Sequence, residues 1–571
     1  MPDAVVIGAG PNGLVAANLI ADAGWSVEVL EAQPEPGGAV RSDRGVHPDY
    51  VSDLFSAFYP LAAASPILAD LELQQEGLGW AHAPRVLAHP LADGRCAVLA
   101  RGAADTAANL DTFTAGDGAA WLDLCATWNR LGPDIVRALF TPFPPVRAGV
   151  RLAARLRSAG GLRLARRLVL PVRRLGEEEF RGEGGRLLLA GNALHADLGP
   201  EAAGSGGYGW LMSMLGQTYG FPAPVGGAGA LTASLVRRLE QRGGAVRCGE
   251  RVTEIVVQGG QAVGVRTRSG ESVPASRAVL ADVSAPALYG ELVDAAHLPG
   301  RVLDDLRRFQ WDFATFKVDW ALSGPVPWTA PEAATAGTVH LADGVDGLTR
   351  FAAQVSMGQV PDRPFLLFGV MTTADATRSP AGTESAWAYT HVPHRIKGDA
   401  GEDGLTGRWD RREQEAMADR MENEVERRAP GFRSRIRARR LLAPPTLQSM
   451  DANLHGGAIN SGTAAMHQQM VFRPTPGTGR PETPVKGLYL ASASAHPGGG
   501  VHGAPGSNAA RAALRGRTDR RFSAPGFPWT VRAGQNAPAR PRPANRPRPT
   551  VRPDGPGGPA GRTRRDRRGT R

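Results

Sequence analysis

Apolar runs and glycines alternate along the first thirty-one residues. Ala4-Val5-Val6-Ile7 is a short, largely β-branched run, the pattern of a buried strand. Gly8, Gly10 and Gly13 follow with the spacing G-x-G-x-x-G, and residues 14–20 then predict a helix rich in small side chains. Gly24 ends that helix, and Val27-Glu28-Val29-Leu30 predicts a second strand closing on Glu31. In the middle of the chain a glycine-rich turn at 224–231 precedes a helix over 232–242. The runs 244–247, 252–257 and 262–267 alternate as strands of a small sheet, Gly270-Glu271 turns it, and 278–281 returns to the main sheet. Near the other end, 487–491 predicts a strand that leads through 492–508, glycine-rich from Gly498 onward, into a helix from about Ala509.

At 571 residues the chain exceeds what one hydrophobic core supports, so two or more lobes are expected. The net charge of +11 at first suggests a nucleic-acid or anionic-membrane partner. Its distribution argues otherwise. Residues 516–571 hold 15 of the 66 basic residues and three of the 55 acidic ones, which leaves 51 bases and 52 acids upstream. The body is near neutral and no specific nucleic acid is expected. The tail, built of Pro-Arg repeats and Gly-Pro-Gly-Gly, buries too little apolar surface to fold and is expected to be disordered. Cys96, Cys125 and Cys248 form no C-x-x-C, which excludes a redox dithiol and a zinc cluster and fits a reducing cytosol. The uncharged run 4–21 lacks a basic leader and is broken by glycines, so neither a signal peptide nor a membrane span is expected there.

Strand, turn, helix, strand and acid in register form a dinucleotide cradle. Gly8 makes the tight turn, Gly10 lets backbone approach a pyrophosphate, and Gly13 permits close helix–strand packing; Pro11 and Asn12 sit between them at the helix N-terminus. Glu31 can accept hydrogen bonds from both ribose hydroxyls. A second glycine pair, Gly37-Gly38-Ala39-Val40-Arg41-Ser42, has no purpose in a nicotinamide dehydrogenase but fits a flavoprotein. The run IGAGPNGLVAANLIADAGWSVEVLEAQPEPGGAVRS resembles the N-terminal signature of the phytoene desaturase and amine oxidase flavoprotein superfamily. That resemblance implies an α/β, Rossmann-type (GR2-like) FAD-binding domain with an inserted α+β substrate domain. It places Ala32, Gly37, Gly38, Ala39 and Arg41 along the FAD, and Val252 at the adenine. It also implies that Gly499, Gly500, Val501, His502 and Ala504 bring backbone N–H groups to the flavin's pyrimidine edge.

Three further stretches point to one branch. ASASAHPGGGVHGAPGSNAA resembles the closing motif of the phytoene-dehydrogenase-related branch, which includes the pyridine nucleotide-disulfide oxidoreductase domain-containing protein 2 family. Asn453-Leu454-His455-Gly456-Gly457, with Gln468-Gln469 and Arg473-Pro474, is similar to that branch's asparagine–glycine–glycine loop, and Gly191-Asn192-Ala193-Leu194-His195 is the third. The branch implies desaturation, saturation or isomerisation at C–C bonds of a polyene, isoprenoid or other apolar substrate. The sequence shows no second nicotinamide-binding domain, which leaves O2, a quinone or the substrate itself as electron acceptor. The alternatives are a flavin amine oxidase acting on C–N bonds and a non-catalytic FAD-binding interaction protein. Flavin does the hydride chemistry, so the protein must position the substrate and steady charge. His496 is the candidate acid–base residue, ahead of His195, His455 and His502, since imidazole titrates near neutral pH.

The expected division is 1–60, 216–290 and 451–515 for the cofactor domain, 61–215 and 291–450 for the substrate domain, and 516–571 for the tail. From Arg147 to Arg174 nine arginines occur without an acid. This is either a peripheral contact with an anionic membrane or, slightly favoured, a solvated face answered by Glu177, Glu178 and Glu179. A cytoplasmic protein, peripheral to the membrane in the first case, is expected.

Overall fold

Ala4–Ile7 is the central strand of a five-stranded parallel sheet in the computed structural model, which describes residues 1–146, 149–150 and 161–516. It pairs with Val27–Glu31 on one side and Ala278–Ala281 on the other; Ala245–Cys248 and Leu488–Leu490 complete the two edges. Parallel strands buried on both faces read as unbroken apolar runs, and the four residues of the central strand are at most 4% exposed. Ala4 and Val6 pack toward the helices Pro11–Asp22 and Ala504–Arg515, while Val5 and Ile7 face the antiparallel sheet of Val252–Gln258, Gln261–Thr267 and Ser272–Pro274. Each Val or Ile buried in this way contributes about 1.5–3 kcal/mol.

Two sequence expectations are corrected. The run near 244–247 is not part of the small sheet: Ala245–Cys248 joins the parallel sheet, in register with Glu28 to Glu31. Pairing across more than two hundred residues decides its sheet, and local alternation carries no sign of that. The last helix begins at Ala504, five residues before the expected start. Pro505 lies in its first turn, where no N–H is needed, and the Ala504 N–H donates to His502 Nδ1 (3.0 Å). Gly506 therefore sits inside the helix, facing the neighbouring helix Pro11–Asp22. A Cβ there would lie 2.0 Å from the Asn12 carbonyl oxygen, so only glycine lets the two helices meet.

The second large sheet has seven strands, in the order Ile436–Leu442, Ala314–Leu322, Glu384–Val392, Leu366–Val370, Ala336–Leu341, Arg85–Pro90 and Cys96–Leu99. Every pairing is antiparallel except that of Ala336–Leu341 with Arg85–Pro90. Side chains alternate between its faces. Phe316, Val318, Ala388 and Phe368 pack with Met417, Met421 and Val425 of the helix Arg411–Glu426. Leu87, Leu99 and Leu367 pack toward the helices Glu183–Leu194 and Ser205–Tyr219.

The arginine-rich stretch is described only in part, since 147–148 and 151–160 lie outside the described residues. Where it is described, Arg166 and Arg174 pair with Glu178, and Arg167 with Glu179. The tail from 517 also lies outside the described residues. Among the described residues no helix is long and apolar enough to cross a membrane.

Candidate functional site

In a parallel α/β sheet a ligand crevice opens where neighbouring strands lead off to opposite sides. Here that point is the C-terminal end of Ala4–Ile7, where the carboxyl ends of three strands present Gly8, Glu31 and Asp282. A cavity of about 1420 Å³ opens at this edge and continues under the large sheet. Small-molecule sites usually span roughly 300–1,000 Å³, so this one has room for a dinucleotide and a second molecule.

The glycines do separable work. A Cβ on Gly13 would lie 2.1 Å from the Gly8 carbonyl oxygen, so the helix packs directly on the turn. The Gly13 N–H donates to the Asp282 carboxylate (2.8 Å) instead of facing the cavity, whereas Gly8, Gly10, Pro11 and Asn12 line it. Glu31 also lines it and accepts from the Ala9 and Gln33 N–H groups (2.7 and 2.8 Å), which fixes its carboxylate at the strand end beside Ala32.

The second glycine pair folds over this turn. The Gly37 N–H donates to the Ala9 carbonyl (2.8 Å), and Gly38 and Ala39 face the cavity. Arg41 does not line it. Its guanidinium donates to the Gly38 and Met450 carbonyls (3.0 and 2.8 Å) and covers the Phe55 ring, clamping the loop from behind. Val252 lines the cavity from the small sheet. A buried network holds the adjoining 224–231 turn: Arg378, fully buried, pairs with Asp53 (2.9 Å) and Asp375 (3.0 Å), which accept from the Ala228 and Gly226 N–H groups.

Gly499, Gly500, Val501 and His502 line the cavity from the other end of the chain, and Ala504 stands behind them as the first helical residue. His502 is stacked on Phe140 (4.7 Å) and caps the helix; burial pushes its pKa down to about 4. His496 reaches the cavity wall with Nε2 on the Thr141 carbonyl (3.1 Å), and burial likewise brings it to about 4, so it is a neutral imidazole at physiological pH. His455 stacks on Trp311 (4.6 Å) at another part of the wall.

Two side chains were missed from sequence. Asp282 stands beside the pyrophosphate turn, 2.7 Å from where a Gly10 Cβ would be. Burial and the neighbouring carboxylates Asp451 and Glu31 push it up to about 8, against the Gly13 N–H. Asp451 is raised to about 6, again chiefly by burial. The signal for Asp282 was present: an acid ends a strand there, as Glu31 does. Lys317, fully buried in the large sheet, lines the cavity, donates to the Asp53 carbonyl (2.8 Å) and pairs with Asp319. Its face was marked in the sequence, where Thr315, Lys317 and Asp319 alternate with Phe316, Val318 and Trp320; that this polar face meets a cavity and not solvent was not.

The residues fit FAD. The cradle has the required close backbone approach at Gly10. The buried Asn460 Nδ2, on the cavity wall beside Gly499, is a donor without a partner among the described residues, and Asn12 Oδ1 is likewise an acceptor without one. A polar ligand satisfies both.

Comparison with known proteins agrees. The flavin containing amine oxidoreductase family matches residues 12–317. The mouse pyridine nucleotide-disulfide oxidoreductase domain-containing protein 2 is 29% identical over 559 residues, covering 90% of this chain and 93% of that protein. A phytoene desaturase (neurosporene-forming) of Cereibacter sphaeroides is 27% identical over 312 residues, 52% of this chain and 54% of the desaturase. In structure, an oxidoreductase from Methanosarcina mazei superposes with a TM-score of 0.59 at 15% identity, covering 90% of this chain and 99% of that one, a likeness of fold. With the cradle, the second glycine pair and the family match over more than half its length, the chain belongs to the flavin containing amine oxidoreductases and is an FAD-dependent oxidoreductase.

Proposed function

We propose that the enzyme desaturates, saturates or isomerises C–C bonds of an apolar substrate, seated in the part of the cavity that lies between the flavin and the large sheet. The carrying observation is the division of that cavity. Its acidic lining groups Glu31, Glu250, Asp282, Glu291 and Asp451 come from segments around the parallel sheet's carboxyl edge and the adjoining small sheet. The remainder has no acidic lining group and is walled largely by apolar side chains, among them Phe58, Leu61, Leu211, Phe221, Leu367 and Trp387, with Lys317, Thr315 and Thr338 from the large sheet. Such a wall favours a hydrocarbon over an ammonium ion, which needs a carboxylate to replace its water. In desaturation bound FAD would accept the hydride and O2 or a quinone would reoxidise it; saturation would draw the hydride from reduced FAD, and isomerisation leaves the flavin's oxidation state unchanged. The protein's own residues shape the cavity, keep water out and hold the reacting carbons in place.

In this reading the segments 1–60, 216–290 and 451–515 carry the cofactor, and 61–215 with 291–450 carry the substrate. Ala32, Gly38, Ala39 and Val252 contact FAD from one end, and Gly499 to His502 from the other. His496 handles the proton. The exposed Val169, next to Leu168 on the cavity wall, and the exposed Leu162 near the start of the same helix support a route for apolar substrate from a membrane surface.

One observation favours amine oxidation as the second reading. Trp387 and Tyr389 lie parallel, 6.0 Å apart, beside Lys317, and paired aromatic faces can hold an amine. Anaerobic incubation of the holoenzyme with a panel of polyenes and amines separates the two. Bleaching of the flavin bands by a polyene is the expected result. Bleaching by amines alone overturns the proposal in favour of the second reading.

A further inference from the structure

One register row of the large sheet runs beneath the substrate part of the cavity. Lys317 pairs with Tyr389, Tyr389 with Leu367, and Leu367 with His340. Tyr389 and His340 are thus two strands apart, on the order of 10 Å at the usual strand spacing. His195 caps the helix Glu183–Leu194 and lays its ring against His340, with the two Nε2 atoms 2.7 Å apart. Tyr389, Leu367 and His195 all line the cavity, so an apolar floor lies between two polar groups.

The hydrogen bond between the two histidines fixes what His195 offers. One proton lies between the Nε2 atoms. His340 Nδ1 is buried without a partner among the described residues, pressed toward Gly191, where a Cβ would come within 2.3 Å. A buried N–H without an acceptor is the rarest of orphans, so Nδ1 carries the lone pair and Nε2 the proton. His340 then donates to His195 Nε2. The proton of His195 is left on Nδ1, the nitrogen that remains for the cavity. Burial keeps both rings neutral: it brings His195 down to about 3 and His340 well below its usual value. Burial also raises the Tyr389 phenol, which keeps its O–H and has no hydrogen-bond partner among the described residues.

We propose that the substrate carries a neutral carbonyl, bound by the His195 Nδ1–H, with the Tyr389 hydroxyl as a second donor to the same molecule. Two neutral donors favour an acceptor. An ammonium finds no carboxylate on this floor, and a carboxylate placed there finds its lysine, Lys317, already held by Asp319 and the Asp53 carbonyl. Asp197, the nearby acid, is engaged by His391 (2.9 Å) and the Phe313 N–H (3.1 Å). The substrate class becomes an apolar chain or ring system bearing a ketone or aldehyde. This inference rests on the proposal that the cavity takes an apolar substrate.

The test titrates the oxidised holoenzyme with the ketone farnesylacetone and with the hydrocarbon and the primary amine of the same carbon skeleton, read by perturbation of the flavin absorption. The ketone is expected to bind about tenfold more tightly than the hydrocarbon, the effect of one or two added hydrogen bonds. His195→Phe and Tyr389→Phe should each shrink that ratio, with flavin content unchanged. Tyr389→Phe removes only an unpartnered hydroxyl, so folding is not at stake. Equal binding of ketone and hydrocarbon, or a preference kept by both variants, overturns the inference and leaves the apolar-substrate proposal standing. Tightest binding by the amine, or binding by none of the three, overturns both.

Discussion

Asp282→Asn should remove a pH dependence from FAD binding. In the wild type the Asp282 carboxyl is buried beside Gly10 and Gly13, with its pKa raised to about 8. An anionic pyrophosphate arriving at that turn raises it further, so binding favours the protonated acid. Below pH 8 the acid is already protonated and binding is insensitive to it. Above pH 8 a proton must first be taken up, and affinity falls toward tenfold per pH unit. Between pH 7 and pH 9 a single group at pKa 8 gives about a tenfold loss, or about 1.4 kcal/mol. Asparagine keeps an oxygen to accept the Gly13 N–H but cannot ionise, so the variant's FAD affinity should stay level over the same interval. The assay is reconstitution of apoprotein with FAD at each pH, followed by flavin fluorescence. Stability supplies a second reading. The folded pKa lies above the unfolded one, so the contribution of Asp282 to the apoprotein's stability is full below about pH 4 and is lost as pH rises through 8. The variant should therefore outlast the wild-type apoprotein at pH 8. Parallel affinity profiles for the two proteins would refute the reasoning, since any pH effect would then come from another group.

Gly506→Ala should lower the melting temperature and the FAD content, because its Cβ would meet the Asn12 backbone 2.0 Å away; overpacking of this kind costs about 1–3 kcal/mol or more. Gly300→Ala, with nothing within 4 Å of the new methyl, is the control and should leave both unchanged in thermal denaturation. Thiol titration of the native protein should label Cys248 alone, since Cys96 and Cys125 are buried and pushed up to about 12 and 11. Labelling should spare turnover, and inactivation that follows the modified thiol would point to a redox cysteine.

The cofactor end was legible because its signals are local. Strand, turn, helix and acid fall within thirty-one residues, and Gly13 is explained by Gly8 a few positions away, although Gly8 and Gly10 are crowded by the distant Asp282. Asp282 was less legible, although it ends a strand as Glu31 does. Its partner, the Gly13 N–H, lies 269 residues away, and the acid's meaning depends on the two strands being neighbours. The start of the last helix was obscured by glycines that read as loop until Gly506 is seen against Asn12.

The substrate end shows why reading stops where it does. Ala314–Leu322 alternates in sequence, with Thr315, Lys317 and Asp319 between Phe316, Val318 and Trp320, but it is buried on both faces: Lys317 and Asp319 are as inaccessible as Phe316 and Val318, so the alternation reads as a solvated face and gives no sign of a cavity. Its row with Tyr389, Leu367 and His340 is assembled from four separate strands, and His195 is added by a helix 145 residues before His340. His195 looks in sequence like one of several equivalent histidines. Only the buried, partnerless Nδ1 of His340 distinguishes it, because that orphan fixes which nitrogen of His195 carries the proton. The flavin's site is thus encoded in a motif, whereas the substrate's chemistry is encoded in register, and a register exists only once the sheet has formed.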